Sequence, residues 1–148
     1  MTLDDQIALF SQIPLFEGFD TQHLRLLAFG AEERKLIKGS KLFTHGMYSD
    51  GGYIIADGRV DLLHENGIEI FGSYSAGALI GELALISDST RFGTAVAKSE
   101  VLTFKISRAL FHKMLSEYPQ IANLLQNRLA KNLQEFLDQV EKIHNKYV

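Results

Sequence analysis

Glu82 and Arg91 are the two residues of this chain best placed to do chemistry together. They stand nine apart in the stretch Gly81-Glu82-Leu83-Ala84-Leu85-Ile86-Ser87-Asp88-Ser89-Thr90-Arg91-Phe92-Gly93-Thr94. A glycine ahead of strong helix formers places the unpaired N–H groups of Leu83 and Ala84 at a helix start, where orphan donors and the helix dipole attract an anion. Arg91 can return to the same spot and offer a planar fork of donors to phosphate oxygens. Glu82 would repel a phosphate, so its presence makes sense as an acceptor for a neighbouring hydroxyl such as a ribose 2′-OH. One arginine matches a monoanion better than a terminal phosphate, which favours a phosphodiester. The competing reading is an ordinary ion pair between Glu82 and Arg91 that closes a loop.

Other chemistries find little support. The chain has no cysteine, which removes disulfides, zinc-thiolate sites and thiol catalysis by inventory. His23, His45, His64, His112 and His144 are scattered, with no metal spacing and no His-x-x-x-His pair. No nucleophile-elbow pattern occurs. The expectation is therefore a binding module with no catalytic residues, no metal and no cofactor. A net charge of −3 gives no reason to expect nucleic acid as a partner. The N-terminus is acidic where a signal peptide would be basic, and no apolar run approaches the roughly 20 residues that span a bilayer. A cytoplasmic protein with no membrane partner is expected.

The elements that must position Glu82 and Arg91 can be read from the pattern. With 148 residues, 46% apolar and 22% charged, the chain suits a single globular domain. Leu3, Ile7 and Phe10 predict a short helix over 3–11, and Asp20, with Phe19 before it and Leu24 after it, predicts a capped and stapled helix ending near Gly30. From residue 34 to 106 the texture is short β-runs with turns between them. Asp57-Gly58 and Asn66-Gly67 each predict a hairpin through a tight type I′ turn. Further strands are expected over 34–37, 41–44, 94–98 and 101–106. Residues 107–148 read as helical, with Ser107 as N-cap and Pro119 in a first turn. Leu129, Leu133, Phe136, Val140, Ile143 and Tyr147 follow the four-three spacing of a seam facing a partner helix, or of a helix lying on its own domain.

Gly81-Glu82-Leu83-Ala84-Leu85, Arg91 nine residues beyond Glu82, and Thr94-Ala95-Val96-Ala97 together resemble the phosphate-binding cassette of cyclic-nucleotide-binding domains. These are the modules of protein kinase A regulatory subunits, cyclic-nucleotide-gated channels and the bacterial catabolite activator. Gly46, Tyr53-Ile54-Ile55 and Gly58 resemble the family's early hairpin, and Gly77-Ala78-Leu79-Ile80 its lead into the cassette, so the likeness covers about residues 12–140.

The resemblance implies an α+β fold, an eight-stranded, jelly-roll-like β-roll (34–106) between N-terminal helices (1–33) and a long C-terminal helix. It implies a cyclic nucleotide as ligand, with Glu82 on the sugar, Arg91 on the phosphate, and Gly81, Leu83 and Ala84 supplying the backbone cradle. The position after the arginine, where threonine favours cGMP in the family, is Phe92, followed by Gly93; cAMP is therefore expected ahead of cGMP. Phe136 and Leu137 fall where the catabolite activator presents hydroxyls to adenine, implying an apolar or stacking lid. With no DNA-reading segment after the long helix, output is expected through a homodimer formed by that helix or through an effector protein. The alternative is a degenerate member, its pocket blocked by Phe92, serving as an interaction scaffold.

Overall fold

The computed structural model describes residues 1–147; within its last helix the side chains at positions 129, 132, 133, 136, 140 and 143–147 lie outside the described set. The chain divides into two compact units, Met1–Met114 and Leu115–Val148.

The first unit opens with α1 (Leu3–Phe10), a single 3₁₀ turn at Pro14–Phe16, and α2 (Thr21–Gly30). Asp20 caps α2 as expected. The cap is reciprocal, because His23 Nδ1 accepts the Asp20 N–H at 2.9 Å, a role more often filled by Glu or Gln. Ten strands follow: β1 (Glu32–Leu36), β2 (Lys41–Phe43), β3 (Tyr48–Ser49), β4 (Gly51–Asp57), β5 (Val60–Leu63), β6 (Ile70–Tyr74), β7 (Leu79–Ile80), β8 (Ser89–Thr90), β9 (Thr94–Ala97) and β10 (Val101–Ser107). Eight of them make two antiparallel four-stranded sheets, ordered β1-β10-β4-β7 and β2-β9-β5-β6, and β3 pairs with β8 in a separate ribbon. The expected eight-stranded roll is present, with that ribbon added.

The two sheets enclose one core of Leu42, Phe43, Tyr53, Ile55, Val60, Leu62, Ile80, Ala95, Ala97 and Val101. β4 is buried from Gly51 through Ile55. Alternate side chains of a strand point to opposite faces, so Tyr53 and Ile55 enter the roll while Ile54 faces away from it. Outside the roll, Phe10 meets Phe104 edge-on at 6.1 Å and Phe16 lies 6.2 Å from Phe111. Each fully buried ring or branched aliphatic contributes about 1.5–3 kcal/mol of transfer free energy.

Neither Gly-containing dipeptide makes the type I′ turn expected of it, since every positive-φ residue among those described is a glycine and Asp57 and Asn66 cannot supply the second left-handed position. Asn66-Gly67 still closes a β5–β6 hairpin: Gly67 N–H donates to the His64 carbonyl, and the Asn66 side-chain oxygen accepts from Ile68 and Glu69 N–H. Asp57-Gly58 closes no hairpin. β4 pairs with β10 and β7, β5 with β6 and β9, so this dipeptide carries the chain from one sheet to the other. Gly58, at φ 92°, is required there, because a Cβ would collide with the Glu100 carbonyl.

After β10, Ser107 caps α3 (Arg108–Glu117) through a 3.0 Å bond from the Leu110 N–H to its Oγ. The second unit is built on α4 (Pro119–Tyr147), 29 residues without interruption and with proline at its first position. The seam positions Leu129, Leu133, Phe136, Val140, Ile143 and Tyr147, the expected Phe136 lid among them, all have side chains outside the described residues. Among the described residues no helix is long and apolar enough to cross a membrane.

Candidate functional site

Gly81 sits in the left-handed region, at φ 83°, and turns the chain from β7 into a single 3₁₀ turn, Glu82–Leu85. The Ala84 N–H donates to the Gly81 carbonyl at 3.1 Å. That corrects the expected donor set, since Ala84 was to leave its amide unpaired. In a 3₁₀ turn the i→i+3 ladder begins at this residue, so the donors left over are those of Glu82 and Leu83.

Arg91 follows β8, and its backbone is tied at both ends: its N–H donates to the Met47 carbonyl at 2.8 Å and its carbonyl accepts from Gly46 N–H at 2.7 Å. The side chain turns inward and is only 6% exposed. Nη2 donates to the Gly51 carbonyl at 2.6 Å, and the guanidinium lies over the Phe43 ring at 4.3 Å and near Tyr53 at 5.6 Å. Burial pushes its pKa down from the ordinary arginine value, although an arginine stays charged in proteins. No carboxylate lies within ion-pair distance of it among the described residues. Glu82 is not its partner; the ion pairs found are Arg34–Glu32, Arg59–Asp61, Lys105–Asp50 and Arg108–Asp88. A buried cation without a counter-ion is costly, and the aromatic faces beneath it offset part of that cost.

Glu82 opens the turn at the surface and is not among the residues that line the Arg91 cavity, and desolvation by its neighbours raises its carboxyl above the usual range. Glu82 therefore gains from any donor brought to it. Gly81, Leu83, Ala84, Arg91 and Phe92 line one cavity, together with Phe43, Ser49, Leu62, Ile80, Ser89, Thr90 and Gly93. Its free room is about 50 Å³, space for a phosphate-sized group and not for a whole nucleotide, the remainder of which would lie across the mouth. Phe92 does not fill that room. Its side chain is 70% exposed and rests on Phe71, ring centroids 5.7 Å apart.

Sequence reasoning missed Arg108, which straps the cassette to the start of α3. Its Nε donates to the Ala84 carbonyl at 3.0 Å, Nη1 to Tyr48 Oη at 2.9 Å and to Asp88 Oδ1 at 2.7 Å, and Nη2 to the Ser49 carbonyl. Tyr48 Oη donates in turn to Asp88 Oδ1 at 2.8 Å. No local pattern marks this residue, because each partner lies far away in sequence. No group of three or more potential metal ligands occurs among the described residues.

A β-roll with a one-turn cassette and a buried arginine defines a class of ligand-binding modules. Residues 33–118 match the family described as cyclic nucleotide-binding domain, and the chain belongs to that family. Among solved structures it is similar to the cyclic nucleotide-binding-like protein from Brucella abortus bv. 1 str. 9-941: 41% identity, TM-score 0.69, 76% of this chain and 99% of that one covered. Among curated proteins it is 29% identical over 113 residues to lysophospholipase NTE1 of Pyricularia oryzae, across 74% of this chain and 8% of that enzyme. It is 31% identical over 101 residues to the cAMP-dependent protein kinase regulatory subunit of Yarrowia lipolytica, across 68% of this chain and 26% of that subunit. The chain thus spans a small part of these curated relatives, and the likeness to NTE1 carries no hydrolytic activity to it.

Proposed function

We propose that this domain binds a 3′,5′-cyclic nucleotide, cAMP ahead of cGMP, and acts as a ligand sensor. The observation that carries the reading is the buried Arg91 guanidinium, without a carboxylate partner among the described residues, lining a phosphate-sized cavity walled in part by Leu83 and Ala84 of the turn that begins at Glu82. The cyclic phosphate supplies one negative charge to Arg91 and to the Glu82 and Leu83 amides, and the ribose 2′-hydroxyl donates to Glu82. The preference for cAMP is supported by Phe92, which puts no hydroxyl beside Arg91 for a guanine, and by the likeness to the regulatory subunit of a cAMP-dependent protein kinase from Yarrowia. The outward position of Phe92 favours this reading over one in which its ring closes the pocket. Arg108 joins the cassette to α3, giving ligand a route towards the C-terminal helices and from there to a second copy or an effector protein.

Isothermal titration calorimetry with cAMP and with cGMP tests the proposal. Saturable binding is expected, tighter for cAMP, and Arg91→Ala should weaken it by at least about 30-fold, as removing one member of a buried charge pair costs roughly 2–5 kcal/mol. No heat from either nucleotide at millimolar concentration would overturn the function. Unchanged affinity in a folded Arg91→Ala variant would overturn the role given to the arginine.

A further inference from the structure

Phosphate and sugar contacts leave Phe92 and Gly93 unexplained. Phe92 lines the same cavity as Arg91 yet keeps 70% of its surface in water, and Leu83, 55% exposed, is the other large apolar side chain uncovered on that rim. The Phe92 ring is not loose. It rests on Phe71 at 5.7 Å with the two planes 30° apart, and Phe71 lies 4.5 Å from the ring of His64.

Gly93 is what seats the middle ring. A Cβ at that position would stand 2.8 Å from two ring atoms of Phe71 and 2.8 Å from the Leu63 carbonyl oxygen. Phe71 is itself partly buried against the core of the roll. The residue after the arginine and the glycine after it therefore form one unit, which holds an aromatic face out at the mouth of the cavity. An uncovered phenyl face in water is unfavourable, and a flat aromatic group laid in offset contact covers it.

We propose that Phe92 is the stacking platform for the base of the bound nucleotide, the base lying on the face of the ring not taken by Phe71. The platform reads ring area rather than hydrogen-bond pattern, since every base has a π-face. Stacking therefore selects purine over pyrimidine cyclic nucleotides, and what Phe92 contributes between adenine and guanine is only the hydroxyl it lacks. This inference rests on the cyclic-nucleotide reading above.

The chain contains no tryptophan, so Phe92→Trp installs a unique fluorophore on the platform. Addition of cAMP should change its emission with the midpoint found by calorimetry, and inorganic phosphate should not change it. Phe92→Ala, at an exposed position, should keep the parent's melting curve and bind cAMP about tenfold or more weakly, in line with the worth of base–aromatic stacking. Parent protein that binds cAMP while Phe92→Ala binds it within twofold, or Phe92→Trp that binds it with no change in emission, overturns the platform and leaves the function standing. Parent protein that gives no heat with any cyclic nucleotide overturns both.

Discussion

Gly81 has no side chain where the guanidinium of Arg91 needs room: a Cβ built on Gly81 would run into Nη1 of Arg91. The turn that begins the cassette and the cation that completes it thus occupy one another's space. Gly81 also has φ 83°, which an L side chain adopts only with strain.

Gly81→Ala should therefore lose more than the cost of its backbone conformation. Gly46 is the control, with the same φ of 83° and nothing within 4 Å of a Cβ. Gly46→Ala should destabilise by about 1 kcal/mol, the strain alone, and Gly81→Ala by roughly 2–4 kcal/mol with loss of nucleotide binding. Urea unfolding and calorimetry on the two variants check this. Equal losses from both would show that the Gly81–Arg91 contact has no weight.

Arg108→Met removes four hydrogen bonds and keeps much of the aliphatic stem. The expected destabilisation is about 1.5–3 kcal/mol, because the Ala84 and Ser49 carbonyls lose a charged donor in a partly buried place. Thermal melting gives the stability, and cAMP affinity should fall with it as the cassette loosens. A variant that melts with the parent would show that the strap is ornamental.

Asp50 sets a pH dependence. A hydrogen bond from Lys105, Nζ to Oδ1 2.8 Å, holds its carboxyl below the ordinary value of 3.8. A lowered folded-state pKa contributes stability above the unfolded pKa and loses it as pH falls through the folded one. The pair is largely exposed on the Asp50 side, so its worth is about 0.2–1 kcal/mol. The stability difference between the parent and Asp50→Asn should be present at pH 5–7 and shrink below about pH 4. A difference that stays constant down to pH 2 would exclude the pair as its source.

The parts of this architecture that local chemistry specifies were legible in advance. Asp20 and Ser107 announce helix starts because a cap is a contact between residues three apart, and Pro119 announces another because its missing N–H costs nothing at a first turn. Of the two residues singled out by type and interval, Arg91 lines the cavity and Glu82 stands outside its lining. Three two-residue strands, Tyr48–Ser49, Leu79–Ile80 and Ser89–Thr90, were not legible, since two residues carry no periodicity and their pairing depends on a distant partner. Asp57-Gly58 misled for a related reason: the dipeptide reports that the chain turns, not which strand it will lie against. The Ala84 amide was assigned to a ligand because an α-helical start would leave it free, whereas the tighter turn uses it.

The sheet order has a consequence for how the chain comes to be folded. Only β5–β6 joins neighbouring segments through a short loop; β1 finds its partner in β10, with Glu32 opposite Lys105, and β2 finds its partner in β9, with Lys41 opposite Val96. Domains dominated by such distant pairings fold in milliseconds to seconds, because large loops close before their contacts reward them. On a ribosome the first strand waits until the tenth has emerged, and Arg91 cannot be walled by Phe43 and Gly51 in a half-made roll. The Arg91 cavity is a product of completed folding, so a ligand held there would bind only the finished domain and draw the population towards it by mass action.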